Sequence, residues 1–306
     1  MAITSNAPRL LLGSCPDSWG VWFANDPQQT PWNRFLDEIA SVGYEWIELG
    51  PYGYLPTDPN QLSDELSNRG LKVAGGTMHG HSGLHRPADF SKIAAVTRNV
   101  AALTAAVGAK HVIFVPVPGY RDDKTGVYLE PAELSGEEWK TMIGATNELG
   151  KIILEEHGVK LQFHPHADSH VETQKQTERF LQDTDPRYVS LCLDTGHLAY
   201  RRADVVSIIR NFPDRIGYVH IKQMDPKIVA QAEKEDMPFG QAVAMGASCE
   251  PPGGVPDINA VSEALRELKA ELFVVVEQDM YPCPFDKPKP IADRTRRVLR
   301  ERGIGT

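Results

Sequence analysis

Residues 160–197 read KLQFHPHADSHVETQKQTERFLQDTDPRYVSLCLDTGH, and the order of patterns within them decides the fold. An apolar run at 160–164 is followed by an amphipathic stretch at 172–182 and a second apolar run at 189–194. Runs this short suit strands, and the stretch between them has helical spacing. A strand that reaches the next one through a helix is paired with it in parallel, as a βαβ unit. Both strands end in polar groups, His164 with His166 and Asp194 with His197.

Outward from this unit the alternation repeats. Short apolar runs at 10–13, 46–49, 72–75, 111–115, 160–164, 189–194, 216–221 and 273–277 read as eight strands. Helical stretches lie at 30–43, 59–70, 91–107, 136–156, 172–182, 203–211, 256–269 and 291–301, the first with Thr30 as cap, Pro31 in its first turn and Gly43 as stop. Eight βα units close naturally as a (β/α)8 TIM barrel of the α/β class, with residues 1–306 as one domain. An open doubly wound sheet shares the local pattern, but no GxGxxG follows the first strand. The long connections at 50–58, 76–90, 116–135 and 223–254 all follow strands, the last with a short helix near 226–234. They therefore belong on the C-terminal face of a barrel, where active sites are built.

Composition narrows the function. The 306 residues are 41% hydrophobic and 24% charged, ordinary for a globular protein with a sizeable core. A formal charge of −9 disfavours a nucleic-acid partner, which calls for a concentrated basic surface. No run nears the roughly 18 apolar residues of a membrane span, and the first residues lack a secretory pattern, so a cytoplasmic location is expected. Cys15, Cys192, Cys249 and Cys283 form no CxxC pair, and reduced thiols are expected.

Chemistry concentrates at the strand ends. Four neighbouring strands finish in His164 and His166, in Asp194 and His197, in His220 and Lys222, and in Glu277 and Asp279. Any one has an ordinary explanation, such as a helix cap or a rim ion pair. Ionisable groups ending four consecutive strands are costly unless a cation or substrate compensates them, and a divalent metal does so economically. Mixed imidazole and carboxylate donors suit manganese or cobalt, with magnesium, zinc and iron compatible. His79, His81 and His85 in MHGHSGLHRP form a second cluster that could bind metal or substrate hydroxyls. Trp19 and Trp22 in PDSWGVW are candidates for a wall against the substrate, and Glu48 in IELG for a substrate contact.

In HPHADSHVETQKQTERFLQDTDP, LDTGH, YVHIKQMDPKIV and VVVEQD, over about residues 160–279, the chain resembles the xylose isomerase-like barrel superfamily. Within it the chain most resembles the inosose dehydratases of inositol breakdown. SWG after the first strand and IELG at the second extend the likeness loosely into the first half. The resemblance implies a divalent metal on His164, Asp194, His220 and Glu277. Most members carry Glu at the first position, so the HPH here leaves open whether His164 or His166 faces the metal, and it weakens a two-glutamate epimerase mechanism.

The implied reaction is a lyase step on a small polyhydroxylated ketone, the dehydration of an inosose or related keto-sugar. His166 or His197 is the expected base, and Lys222 the group that stabilises the enolate or protonates the leaving hydroxyl. Trp19, Glu48, His79 and His81 are the expected substrate contacts. Keto-sugar isomerisation or epimerisation and cleavage of 3-keto C-glycosides would share the enolate. Outer helices and long loops offer surfaces for a homo-oligomer.

Overall fold

The computed structural model describes residues 9–79, 83–268 and 270–305. Eight parallel strands close into a barrel: β1 (Leu10–Ser14), β2 (Trp46–Pro51), β3 (Lys72–Met78), β4 (His111–Phe114), β5 (Lys160–Phe163), β6 (Val189–Asp194), β7 (Ile216–Ile221) and β10 (Leu272–Val276). The remaining pair, β8 (Gln223–Met224) and β9 (Ser248–Cys249), is an antiparallel ribbon outside it. Each barrel strand is one of the eight apolar runs in the sequence. β4 and β5 stop short of the expected ends at Val115 and His164. Both residues still donate a backbone N–H to the neighbouring strand, to Met78 O and Phe114 O, but Pro116 and Pro165 then offer no donor.

Around the barrel run α1 (Trp32–Ser41), α2 (Pro59–Ser67), α3 (Phe90–Ala106), α4 (Gly136–His157), α5 (Gln174–Asp183), α6 (Thr195–Tyr200), α7 (Val205–Asn211), α8 (Pro226–Lys234), α9 (Phe239–Ala244), α10 (Ile258–Glu267) and α11 (Pro288–Arg300). Capping boxes at Ser135 with Glu138 and at Thr173 with Gln176 satisfy the first N–H groups of α4 and α5. Thr30 is not the cap of α1. Pro31 holds that place, and Thr30 is buried with its carbonyl accepting the Tyr54 hydroxyl. The short helices α6 and α9 were not expected, and both lie on the strand-end face. Among the described residues no helix is long and apolar enough to cross a membrane.

Two apolar layers follow from the period of a strand. One cluster joins strand faces to helices and draws on both ends of the chain, from Leu10 to Ile304. A second contains Cys15, Ala74, Ile113, Cys192, Tyr218 and Val275. Cys192 stands two residues before Asp194, Tyr218 before His220 and Val275 before Glu277, so this cluster is the floor beneath the polar strand ends.

Candidate active site

Asp194 is both the last residue of β6 and the cap of α6. Its Oδ1 accepts the His197 backbone N–H at 2.6 Å, which turns Oδ2 into the barrel mouth. The ladder sets His220 beside Asp194 on one flank and beside Val275 on the other. Glu277, two residues beyond Val275, shares its face. His164 Nε2 lies 3.3 Å from Asp194 Oδ2 and 3.5 Å from Glu277 Oε2, and His220 Nδ1 lies 2.6 Å from Glu277 Oε2. One donor atom from each of these four buried residues falls within 4.8 Å of all the others. His164, and not His166, therefore joins the quartet.

Behind the quartet stands Glu48. It is buried, faces His220 Nε2 at 2.8 Å and accepts the Thr77 hydroxyl at 2.6 Å. The expected substrate contact is thus corrected: Glu48 orients His220 from below and leaves Nδ1 for the mouth. Beside the quartet, Lys222 Nζ lies 2.7 Å from Asp279, 3.2 Å from Glu277, 3.4 Å from Asp194 and 3.0 Å from His197 Nε2. Gly196 makes room for it, since a Cβ there would sit 2.3 Å from Lys222 Cγ.

Charge decides what the cluster fits. Glu48, Asp194, Glu277 and Asp279 are buried together around Lys222, His164 and His220, so the cluster draws positive charge to itself, as protons on the imidazoles or as a metal ion. Burial would lower the Lys222 pKa, but Asp194, Asp279 and Glu277 hold it well above the ordinary value. His164 Nδ1 is buried with no hydrogen-bond partner, while its Nε2 meets the carboxylates of Asp194 and Glu277. Two imidazoles and two carboxylates, one imidazole backed by a carboxylate, form a donor set suited to a divalent transition metal.

A cavity of about 350 Å³ opens beside the quartet, reaching Glu277, Asp279, His166, Thr77 and His79 on its polar side. Trp22, Phe23, Val117 and Phe239 supply apolar wall, and Asp17 and Asp123 add carboxyls. Burial, then Glu277 and Asp279, push Asp17 well up; burial, with Asp168 and Asp122, raises Asp123 to about 6. Trp19 is corrected: it is buried, donates Nε1–H to Glu38 at 2.9 Å and meets Phe35 edge-on. The 3₁₀ turn at Pro16–Trp19 rolls it into the helix layer, leaving Trp22 at the cavity. His81 lies outside the described residues.

The candidate bases separate by their partners. His166 donates Nδ1–H to the Ala167 carbonyl at 2.7 Å, so its lone pair is on Nε2, and the ring lines the cavity. His197 accepts the Ala167 N–H on Nδ1 at 3.2 Å, so its Nε2 carries the proton and the ring has no free lone pair to act as a base. Burial, then neighbouring charges, drives both imidazoles well below their ordinary pKa. The loop that carries His166 is clamped: Arg201 pairs with Asp168 at 2.6 Å and Glu172 at 2.7 Å, and Asp168 Oδ2 accepts the Phe239 N–H. Asp17 and Asp123 escaped the sequence reading. Asp279 was named there as a strand-end group without a role, although it shares a face with Glu277 by the same two-residue step that links Lys222 to His220.

The sequence profile of the xylose isomerase-like TIM barrel matches residues 36–302. The inosose dehydratase of Bacillus velezensis is 31% identical over 254 residues, 82% of each chain. That of Geobacillus thermodenitrificans is 29% identical over 301 residues, 96% of this chain and 97% of the relative. Among solved structures, the IolI protein with a bound zinc atom superposes with a TM-score of 0.73 at 18% identity, over 95% of this chain and 99% of the other. The 3-keto-D-glucoside 4-epimerase of E. coli does so with a TM-score of 0.67 at 15% identity, over 96% and 100%. Closed barrel, strand-end site and sequence match agree, and the chain belongs to the xylose isomerase-like TIM barrel family.

Proposed function

We propose that this chain is a metal-dependent carbon–oxygen lyase that dehydrates an inosose or closely related keto-sugar. The observation that carries the reading is the convergence of His164, Asp194, His220 and Glu277 beside a cavity walled by a neutral histidine. Relatives named inosose dehydratase that align along nearly the whole chain support the substrate class, and the zinc in a structural neighbour supports a divalent ion. Manganese or cobalt would be at home in this donor set.

A divalent cation on the quartet would supply a Lewis acid that polarises the ketone and acidifies the neighbouring C–H. His166 takes that proton on Nε2, and the C–H electrons pass into an enolate. Lys222, held by Asp279, stands beside the carboxylates and protonates the departing β-hydroxyl, which leaves as water as the enolate electrons form the new C=C bond. The apolar wall of Trp22 and Phe239 limits access of bulk water, and His79 and Asp123 are placed to meet hydroxyls.

The test is turnover of 2-keto-myo-inositol by metal-loaded protein, followed by mass spectrometry and by absorbance of the dione product. Loss of water from the substrate is expected. His220→Ala and Glu277→Ala should each lose turnover and the metal held by the quartet, and retention of both would refute the site. In D2O, deuterium uptake without loss of water would replace dehydration by isomerisation.

A further inference from the structure

The MHGHSGLHRP motif does not act as one unit. His79 lines the cavity, whereas His85 turns away to meet His170, the last residue of HPHADSH, across Glu130. His85 Nε2 lies 3.0 Å from Glu130 Oε2, and His170 Nε2 lies 3.0 Å from Glu130 Oε1. Both imidazoles are buried, their rings edge to face with centroids 4.9 Å apart. One donor atom of each of the three residues falls within 4.8 Å of the other two.

The hydrogen bonds make this arrangement informative. His170 Nδ1 lies 3.1 Å from the Ala132 carbonyl, which can only accept, so Nδ1 carries the proton. In the neutral ring Nε2 is then a lone pair, and it faces a carboxylate oxygen. Two acceptors at that separation repel unless a proton or a metal ion lies between them. His85 adds a buried Nδ1 with no hydrogen-bond partner. Ligands about 2.0–2.2 Å from one tetrahedral ion stand roughly 3.3–3.6 Å apart, so the 3.0 Å separations here would open by a few tenths of an ångström as an ion enters.

We propose that His85, Glu130 and His170 form a second metal site, separate from the strand-end quartet, that takes Zn2+ with two imidazoles and one carboxylate. Its ligands come from the segments after β3, β4 and β5, so the ion clips three rim loops together. Its role is structural, since none of the three lines the cavity. Arg86 competes for the same carboxylate: Nη1 lies 2.7 Å from Glu130 Oε2, while Nε lies 2.6 Å from Asp89. The half-exposed guanidinium can withdraw onto Asp89 when the ion binds.

Metal-stripped full-length protein titrated with Zn2+, by calorimetry and by elemental analysis after desalting, should bind two equivalents. His170→Ala and Glu130→Gln should each bind one, and His220→Ala should keep the other. Co2+ titrated into the unaltered protein should give a visible absorption band for each equivalent, a readout that needs no variant. Arg86→Ala should bind the second ion more tightly, and weaker binding would overturn the assignment. So would a single equivalent in the unaltered protein that His220→Ala removes, or a second one that survives both His170→Ala and Glu130→Gln. Loss of the quartet's equivalent alone would count against the proposed lyase centre and leave this site standing.

Discussion

Replacing Glu48 tests whether the metal centre is oriented from behind. The carboxylate touches two groups, His220 Nε2 at 2.8 Å and the Thr77 hydroxyl at 2.6 Å, and is buried with both. A carboxylate behind a ligating imidazole fixes the ring and raises its basicity, and losing such a partner typically costs about 10–100-fold in metal affinity. That range is about 1.4–2.8 kcal/mol. Glu48→Gln keeps the shape: its carbonyl oxygen can accept from His220 while its NH2 donates to the Thr77 oxygen. Only the charge goes, so the loss should fall near the lower bound, about tenfold. Glu48→Ala removes both bonds and leaves a void beneath the imidazole, and should approach about a hundredfold. Calorimetric titration of metal-stripped protein with Mn2+ or Co2+ measures both. At saturating metal Glu48→Gln should recover most of its kcat, because Glu48 lies below the ligand and not in the cavity. A Glu48→Ala protein that binds metal as tightly as the unaltered chain would refute the reasoning.

Other outcomes follow from the same geometry. His166→Asn should lower kcat by about 10²–10⁴-fold while metal stoichiometry, read by elemental analysis, stays unchanged. Asp123→Asn should be more stable than the unaltered chain at pH 8. The folded carboxyl holds its proton up to about 6 against an ordinary 3.8, so the ionised form destabilises the folded state. That difference, on the order of 2–3 kcal/mol above pH 6, should shrink below it and vanish near pH 4 in urea melts. Arg201→Met strands Asp168 and Glu172 and should cost about 2–3 kcal/mol in the same melts, less than for a fully buried pair because the guanidinium is partly exposed.

The barrel was legible because each of its strands is a run that must be buried on both faces, and the sequence shows all eight. Strand-end chemistry was legible for the same reason: a carboxylate such as Asp194 or Glu277 ending an apolar run has few inexpensive explanations. What escaped is whatever depends on loop path. Trp19 and Trp22 look equivalent in PDSWGVW, and only the 3₁₀ turn decides which one reaches the cavity. Glu48 read as a substrate contact because strand polarity says which end of the barrel it occupies and not how deep. The choice between His164 and His166 turned on side-chain direction after Pro165, and the pairing of His85 with His170 on three loops meeting at the rim.

Asp194 performs two tasks with its two oxygens, and this limits what can replace it. Asparagine could still anchor the start of α6 but would bring a neutral oxygen or an amide to the cation. Glutamate would retain the anion while moving it one methylene past both partners. The short acid satisfies both demands, so drift at this position should damage ion retention and the seating of His197 together. A defect of that kind is harder to repair by a single compensating change than one confined to either task.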